Sequence, residues 1–297
     1  MNQPPTLALF DLDHTLLDGD SDVLWCEYLM DRGVLDRAVF EPRNRAIEAG
    51  YKAGTVGVLE FCGFYVGTLA GRTPAQWQPL REDFLHERIV PRLLAAGRAC
   101  IEAHRRDGHE LVLTTATNHF LTELTAAALG IGHLIATECD IGIDGRFSGA
   151  VAGTPNMREG KVARLSEWLA ARGRKLAGED SVFYSDSIND LPLLAAVRRP
   201  VVVDPDARLA AEAAARRWPV RRTTGHSRYW ATMTTTVWCR RHSPPRASMC
   251  CATRSRCASF AASRWPSLAS ATGRGAPPTS PRYLTVRGRP LSFLPTI

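Results

Sequence analysis

The sequence predicts an α/β protein, a doubly wound parallel sheet with an inserted helical domain. Short apolar runs alternate with stretches of helical periodicity, and strands that alternate with helices form a parallel sheet covered on both faces. One interval is too long for a single connecting helix. A strand–helix–strand unit takes about 30 residues, whereas Asp11 and Thr115, which each close a predicted strand, lie 104 positions apart.

The predicted elements follow one another in a regular order. An Asp-Gly pair between alternating apolar residues indicates a hairpin that turns at Asp144-Gly145. The predicted strands are residues 6–10, 109–117, 181–186 and 200–204, and the predicted helices include residues 91–108 and 120–130. In such sheets ligands bind at the carboxyl ends of the strands. Three polar residues, Asp11, Thr115 and Asp186, are expected at ends of that kind.

The long interval after the first strand predicts a second domain. Its segments, among them VLWCEYLMDRG and GVLEFCGFYVGTLAG, indicate several helices separated by glycines. A helical module inserted at this point would cover the strand ends as a lid. We therefore divide the chain into a catalytic core of residues 1–18 and 96–217, a helical cap of residues 19–95, and a tail of residues 218–297.

Aspartates crowd the end of the first strand, in the stretch LALFDLDHTLLDGDSD. Because residues i and i+2 of an extended chain share a face, Asp11 and Asp13 point into one site. Two carboxylates there need a cation, and oxygen-rich clusters suit Mg²⁺. A second acidic segment, SDSIND at residues 185–190, follows another predicted strand and could complete the metal site. A solvated turn is the alternative, but it does not explain D-x-D-x-T directly after a buried strand.

Four ordered motifs, DLDHT, a Thr at the end of a middle strand, EGK and YSDSINDLPLL, resemble the haloacid dehalogenase superfamily. The helical insertion after the first motif resembles its phosphoserine-phosphatase-like branch. The resemblance extends from residue 6 to about residue 216 and implies a Rossmann-like core and a Mg²⁺-dependent phosphatase with an aspartyl-phosphate intermediate. Ser185 and Ser187 replace the glycines of the usual Gly-Asp-Gly, and both are small enough to keep the loop closely packed.

The resemblance also implies a role for each motif residue. Asp11 would be the nucleophile, and Asp13 the general acid for the leaving alcohol and then the base for the hydrolytic water. Thr115 would bind phosphate oxygens, and Lys161 would neutralise Asp11 and the phosphate. Asp11, the Asp13 carbonyl and Asp186 would bind the metal, and Asp190 would orient a metal-bound water. Asn189 would contact the phosphate or the substrate. Singly, Thr115 could be a turn residue, Lys161 a surface lysine, and Asp186 or Asp190 a helix cap. Their joint order favours the catalytic interpretation.

The expected substrate carries an amino group. In phosphoserine phosphatases an acid nine residues after the nucleophile, here Asp20, is implied to hold the substrate amine; capping of the helix SDVLWCEYLM is the alternative. The pattern ALxxRVxLL, whose arginine holds the substrate carboxylate in those enzymes, does not occur between Val23 and Arg92. Histidinol phosphate has the ammonium without the carboxylate, and the branch includes histidinol phosphatases. We expect that activity, with phosphoserine or another small metabolite as the alternative substrate.

The composition limits the classes of partner and the cellular location that we expect for this protein. No apolar run of about 18 residues occurs, so no membrane span is predicted. The N-terminus has no basic segment before its apolar stretch, which argues against a signal peptide and for a cytoplasmic enzyme acting on a small phosphate ester. Eight cysteines without a regular pattern predict reduced thiols. The sequence carries no indication of an oligomeric state.

The tail differs in kind from the rest of the chain. Between Arg217 and Ile297 there are 14 arginines and no lysine, aspartate or glutamate, so the formal net charge of +7 comes from this segment. Arginines bind nucleic-acid phosphates and interleaved aromatic residues can stack on bases. The lack of lysine and of any RNA-binding motif argues against a nucleic-acid partner. We expect a frameshifted or unselected, disordered terminus, because a bias to Arg, Ala, Ser and Pro without acids is what an out-of-frame GC-rich gene encodes.

A phospho-accepting signalling domain is the rival from another class. Such domains also combine an acidic cluster, a strand-end Thr or Ser and a Lys. They lack the long insertion after the first strand, and here D-x-D-x-T places Asp13 two residues from Asp11 for hydrolysis. The sequence therefore favours the enzyme.

Overall fold

Seven strands form one sheet in the computed structural model of the chain, which describes residues 6–222. In chain order they are β1 (Leu7–Phe10), β2 (Glu110–Asn118), β3 (His133–Ile141), β4 (Phe147–Ala152), β5 (Ser181–Ser185), β6 (Arg199–Val203) and β7 (Val220–Arg221). Their spatial order is β4-β3-β2-β1-β5-β6-β7. Neighbouring strands are parallel except β3 and β4, which form an antiparallel pair around the predicted Asp144-Gly145 turn. The predicted parallel α/β sheet is confirmed.

Four helices are inserted between β1 and the helix that leads into β2, as predicted. The α-helices of the described residues are α1 (Ser21–Asp31), α2 (Arg37–Ala53), α3 (Val58–Val66), α4 (Pro74–Phe84), α5 (Ala95–Arg106), α6 (His119–Ala128), α7 (Glu159–Ala170), α8 (Leu191–Ala196) and α9 (Ala207–Arg216). Short 3₁₀ and π turns connect some of them. We refer to α1–α4 as the cap helices. The domain boundaries at residues 18 and 95 stay predictions.

Strand β1 is buried on both faces, which is why its sequence is a continuous apolar run. Because successive side chains point to opposite faces, Leu7 and Leu9 pack into a cluster with α7, α8 and α9. Ala8 and Phe10 pack into the cluster on the other face, which includes residues of α5, α6 and the cap helices. The sheet is therefore covered by helices on both sides.

The order of the strands places a topological switch at β1. From β1 the chain proceeds outward through β2, β3 and β4, then returns to β5 on the other side of β1. Ligands of open α/β sheets bind at the carboxyl ends of the strands where the order reverses. The carboxyl ends of β1, β2 and β5 therefore form the expected binding edge.

Two observed boundaries differ from the sequence-based expectation. Strand β2 ends at Asn118, one residue past the predicted strand of residues 109–117 and three past Thr115, because after a register shift it pairs with β3 again at Asn118. The sheet also extends to Arg221, past the boundary assigned at residue 217, since β7 pairs with β6. The prediction about the rest of the tail, residues 223–297, lies outside the described residues.

Two further expectations can be compared with the described part of the chain. Within residues 6–222, no helix is both long and apolar enough to span a membrane. The four cysteines of this part, Cys26, Cys62, Cys100 and Cys139, are free thiols, as predicted.

Candidate active site

The parallel register of three strands brings the predicted site residues to one edge of the sheet. Asp11 follows β1 directly and Asp186 follows β5 directly. Phe10, the last residue of β1, is paired with Leu113 on one side and with Tyr184 on the other. Thr115 therefore lies level with the loop that begins at Asp11. Residues separated by more than 100 positions meet because parallel strands end at the same edge.

A buried lysine is bound between two carboxylates at this edge. The Lys161 ammonium donates to Asp11 Oδ1 and to Asp190 Oδ2, both at 2.7 Å, and only 2% of Lys161 is exposed. Burial by itself lowers the pKa of Lys161, but the two carboxylates raise it above its ordinary value. Lys161 is therefore held in its charged form, because a fully buried lysine is stable only when paired.

The side chain of Asp190 serves this ion pair and not the helix that follows. Its Oδ2 also accepts a hydrogen bond from the Ser185 hydroxyl at 2.7 Å, and it makes no capping bond to α8. Ser185 thus has a role besides being small, since its hydroxyl orients Asp190. The proposed contact of Asp190 with a metal-bound water stays a prediction.

The loop before α7 positions Lys161. Gly160, the middle residue of EGK, passes so close to this loop that a Cβ atom there would lie 2.0 Å from the carbonyl oxygen of Pro155. The buried Asn156 ties the loop to the sheet, because its amide nitrogen donates to the carbonyl oxygens of Thr115 and Ile135, both at 2.8 Å. Glycine is needed in this motif because of the close approach of the backbone.

The carboxylate of Asp13 is oriented by hydrogen bonds from two elements. Asp13 Oδ1 accepts from the backbone N–H of Ser21 at 2.7 Å. Asp13 Oδ2 accepts from the Thr117 hydroxyl at 2.9 Å and, at a longer 3.4 Å, from the Thr115 hydroxyl. Thr115 was predicted as a site residue from the sequence, whereas Thr117 was not. The signal was present, since residues two apart on a strand share a face.

The Thr of the D-x-D-x-T motif holds the second acidic loop. The Thr15 hydroxyl donates to Asp186 Oδ1 at 3.0 Å and accepts from the Asp186 backbone N–H at 3.1 Å. Burial raises the pKa of Asp186 to about 7, against the opposing hydrogen bond from Thr15. Thr15 therefore fixes the relative position of the loops that follow β1 and β5.

The site carries more negative charge than its lysine balances. Burial raises the pKa of Asp11 well above its usual value; Lys161 opposes this, whereas Asp190, Asp186 and Asp13 add to it. No group of three or more His, Cys, Asp or Glu side chains within residues 6–222 encloses a metal position. Mg²⁺ does not require such a cage, because it is usually bound by one or two carboxylates, waters and substrate phosphate. The carboxylate oxygens and their excess charge fit this ion.

Asp20 caps the first cap helix. Its Oδ1 accepts from the backbone N–H groups of Asp22 and Val23 at 2.9 and 3.0 Å. Burial, together with the nearby Asp13 charge, raises the pKa of Asp20 to about 7, and Glu48 of α2 adds to this effect. Burial and the Asp20 and Asp13 charges also raise the pKa of Asp22 well above its usual value. The capping alternative is confirmed, and the substrate-binding role of Asp20 stays a prediction.

Asn189 lies where the cap helices contact the core. Its Oδ1 accepts from the Tyr51 hydroxyl at 3.1 Å and from Arg158 Nε at 3.3 Å. The Arg158 guanidinium lies 4.7 Å from the centroid of the Tyr51 ring. We call these three residues the cap–core contact. Tyr51 and Arg158 were not found from the sequence, because nothing in their local segments indicates a partner 138 or 31 residues away.

These features define a class of enzyme. A carboxylate at the end of a central strand is paired with a buried lysine, and a second carboxylate two residues later is oriented by neighbouring donors. Such a site suits hydrolysis of an anionic ester by a carboxylate nucleophile, with a separate acid–base group. The class is that of hydrolases with a parallel α/β sheet and a nucleophilic aspartate at the end of the first strand.

Comparison with known proteins identifies the family. The haloacid dehalogenase-like hydrolase family matches residues 8–195. A histidinol-phosphatase of Neisseria meningitidis serogroup C (strain 8013) is 39% identical over 215 residues, which are 72% of this chain and 97% of that protein. A phosphoserine phosphatase of Mycobacterium tuberculosis (strain ATCC 25618 / H37Rv) is 30% identical over 233 residues, 74% of this chain and 72% of that protein.

A solved structure is also similar to this chain. A protein of unknown function from Bordetella pertussis Tohama I superposes with a TM-score of 0.70 at 41% identity, covering 73% of this chain and 98% of that one. The chain belongs to the haloacid dehalogenase-like hydrolase family, and it is a phosphatase. The family decides against the phospho-accepting signalling domain.

Proposed function

We propose that this phosphatase hydrolyses histidinol phosphate through an aspartyl-phosphate on Asp11, with Mg²⁺ as its cofactor. The observation that carries the mechanism is the pairing of Asp11 with the buried ammonium of Lys161 at 2.7 Å. A carboxylate that approaches a phosphate dianion meets a repulsion of about 4 kcal/mol per charge pair in a partly buried site. The positive charge of Lys161 offsets this repulsion, because it attracts both the Asp11 carboxylate and the phosphate.

The first half of the reaction transfers the phosphoryl group to the enzyme. A carboxylate oxygen of Asp11 attacks phosphorus, and the bond from phosphorus to the substrate oxygen breaks. Asp13 gives its proton to the leaving oxygen, so that the alcohol departs neutral. The hydrogen bonds from Ser21 N–H and the Thr117 hydroxyl hold the Asp13 carboxyl group in place for this transfer.

The second half returns the enzyme to its starting state. Asp13 takes a proton from water, the oxygen of that water attacks phosphorus, and the bond between phosphorus and Asp11 breaks, releasing inorganic phosphate. Covalent catalysis divides one difficult displacement into two easier ones. The Thr115 hydroxyl, buried at this edge of the sheet, and the amide of Asn189 are proposed to bind phosphate oxygens or the rest of the substrate.

The proposed metal site uses oxygen ligands at the ends of β1 and β5. We assign Asp11, the backbone carbonyl of Asp13, and Asp186 as the protein ligands of Mg²⁺, with Asp190 adjacent. When bound, the ion would supply positive charge that stabilises the transferring phosphoryl group. The excess of carboxylates over lysine at this edge supports the assignment.

The substrate assignment is supported by the charge around Asp13. Asp20, Asp22 and Glu48 are acidic residues on the cap side of the site. Burial and then the Asp13 charge raise the pKa of Asp20, with a smaller contribution from Glu48, and burial followed by the Asp20 and Asp13 charges raises that of Asp22. A positive charge placed beside these carboxyl groups would favour their ionised forms. An ammonium group is attracted there, and a carboxylate is repelled. The cap arginines Arg43 and Arg45 are exposed to solvent, and the arginine pattern that holds the substrate carboxylate in phosphoserine phosphatases does not occur in the cap. The similar protein from N. meningitidis, 97% of whose length is covered by the match, is named a histidinol-phosphatase.

The test uses the full 297-residue chain. Phosphate release from histidinol phosphate and from phosphoserine is measured with Mg²⁺ and with a chelator, and acid-quenched samples are searched for a phosphorylated Asp11 peptide. We expect preference for histidinol phosphate, loss of activity with chelator, and a fall of more than about 10⁴-fold in Asp11→Asn. Asp18→Asn, an exposed acid of the same loop, is the matched control and should keep full activity. Activity that survives in Asp11→Asn refutes the mechanism, whereas preference for phosphoserine refutes only the substrate.

A further inference from the structure

The cap–core contact is absent from the mechanism above, although it touches a residue proposed to bind substrate. Tyr51 lies in the last turn of α2, and Asn189 lies between β5 and α8. Arg158 belongs to the loop that precedes Lys161. The contact thus joins three separate parts of the protein: a cap helix, the loop of the catalytic lysine, and the second acidic loop.

Hydrogen-bond chemistry determines which way the Asn189 amide points. Arg158 Nε can only donate, so the atom of Asn189 that faces it must be the amide oxygen. That oxygen has two lone pairs, and the second is used by the Tyr51 hydroxyl. The amide nitrogen of Asn189 has no hydrogen-bond partner within residues 6–222. It is the group left to donate to a ligand.

The backbone of Arg158 shows that its position is imposed by its surroundings. Its φ of 53° and ψ of −125° fall outside the regions that residues with a Cβ atom normally adopt. Such conformations persist only where neighbouring contacts over-determine them, and they cluster at functional sites. Here the contacts are the Tyr51 ring beneath the guanidinium and the Asn189 oxygen at Nε. The strained loop directs Arg158 toward the cap.

We propose that Tyr51 and Arg158 are positioning residues that hold the Asn189 amide with its nitrogen free to donate to the substrate. Tyr51 comes from the cap, so this orientation of Asn189 is complete only when α2 lies against the core. The contact thereby links cap closure to substrate binding. This inference rests on the proposed function of the same site, in which Asn189 contacts the substrate or its phosphate.

A double-mutant cycle in the full-length chain tests the proposal. kcat and KM for histidinol phosphate are measured for Tyr51→Phe, Asn189→Ala and the double variant. We expect Tyr51→Phe to lower kcat/KM about two- to tenfold, the range of one hydrogen bond, and Asn189→Ala to lower it about ten- to hundredfold. Because Tyr51 acts through Asn189, the double variant should match Asn189→Ala alone. A tyrosine with a purely structural role would instead give multiplied losses.

Two tyrosines of the chain allow a conservative variant and a matched control. Phenylalanine at position 51 preserves the ring that packs against Arg158 and Phe61, so the variant should melt like the wild type. Tyr28→Phe is the matched control, since the Tyr28 hydroxyl is buried among cap residues and has no hydrogen-bond partner within residues 6–222. It should leave kcat and KM unchanged.

A second measurement separates this proposal from the choice of substrate. The side-chain amide signal of Asn189, identified by its loss in Asn189→Ala, is followed by ¹H–¹⁵N NMR. We expect it to move in Tyr51→Phe and to stay unchanged in Tyr28→Phe, whichever ester the enzyme prefers. An unmoved signal, wild-type kinetics in Tyr51→Phe, or multiplied losses in the double variant would overturn the proposal. Failure to hydrolyse histidinol phosphate would overturn only the substrate, and the cycle would then be measured on the preferred ester.

Discussion

The core and the cap contribute side chains of different kinds to one site. On the core, Asp11, Lys161 and Asp190 are 6%, 2% and 2% exposed and are joined by bonds of 2.7 Å. On the cap, the side chain of Glu48 is 33% exposed. The Tyr51 hydroxyl lies 3.1 Å from Asn189 Oδ1 and 3.7 Å from the Met157 sulfur, and its ring packs against the Arg158 guanidinium.

This difference in burial matches a division of roles, in which the core carries out the reaction and the cap selects the substrate. Groups at the strand ends are held by the sheet on several sides, which suits atoms that must stay aligned during bond making and breaking. The polar side chains that the cap brings to the site, Glu48 and Tyr51, are only partly buried, which suits a layer that selects the substrate. Substitutions on the core should therefore damage turnover and folding together, whereas substitutions on the cap side should mainly change substrate affinity.

The largest effect is expected from Lys161→Met. Removing the ammonium leaves two buried carboxylates without a partner, which costs on the order of 3–5 kcal/mol in the free energy of unfolding. It also removes charge stabilisation of the phosphoryl group, so kcat should fall about 10²- to 10³-fold. Urea unfolding and initial rates measure the two effects. Lys175→Met, at an exposed position, is the control, and a Lys161→Met protein with near-normal kcat would contradict the assigned role.

A smaller and more selective effect is expected from Asp20→Asn. Asparagine caps helices as well as aspartate does, so α1 should remain stable while the negative charge is lost. If Asp20 binds the substrate ammonium, KM for histidinol phosphate should rise about tenfold, with a smaller change in kcat.

Two companion variants separate the roles of Asp20. Asp36→Asn changes the capping residue of α2, which accepts from Ala38 N–H at an exposed position, and should leave KM unchanged. Asp20→Ala removes the cap as well as the charge and should lower the free energy of unfolding by about 1 kcal/mol. A wild-type KM in Asp20→Asn would mean that Asp20 serves only as a helix cap.

The smallest effect concerns a core residue away from the reaction. His104 of α5 contacts the Tyr184 hydroxyl through Nε2 at 2.9 Å and His109 through Nδ1 at 2.6 Å. Burial, with a contribution from His109, lowers the pKa of His104 from 6.5 to about 4. Between these values the unfolded chain binds a proton that the folded protein does not. The free energy of unfolding should therefore fall as the pH falls from 6.5 to about 4.

Thermal unfolding over this pH range tests the effect of His104. His104→Gln should show a weaker dependence of Tm on pH than the wild type. Some dependence should remain, because burial also lowers the pKa of His109. His86→Gln, a change at an exposed histidine, should keep the wild-type dependence. Parallel Tm profiles for all three proteins would show that His104 is not the group responsible.

Much of the fold could be predicted because its signals are local. The apolar run of β1, the Asp-Gly turn between β3 and β4, and the spacing of α6 each lie within a short window of sequence. The strand predicted over residues 109–117 ends at Asn118, so Thr115 lies before the strand end at which it was expected. The last part of β2 depends on renewed pairing with β3 after a register shift. Pairing with a distant strand leaves no mark in the strand's own residues.

The candidate site likewise contains residues that local sequence signals predicted and residues that they did not. D-x-D placed Asp11 and Asp13 on one loop, and the spacing of two residues could also have identified Thr117 beside Thr115. The second function of Ser185, as a donor to Asp190, was not visible because serine at this position was explained by its size alone. Arg158 was missed for a different reason: its unusual backbone conformation is imposed by contacts that form only after folding.

The sequence by itself determined the α/β class, the helical insertion and the position of the acidic loops, since strand alternation, helical periodicity and motif spacing are local properties of the chain. The family motifs implied that Lys161 neutralises Asp11, and the tertiary structure brings the two together across 150 residues. Only the tertiary structure decided that Tyr51 reaches Asn189 across 138 residues. It also decided that the Asp190 side chain accepts from this lysine and makes no cap for α8. These contacts depend on the register of β1 with β5 and on how α2 and α7 pack, and no short segment of the chain contains that information.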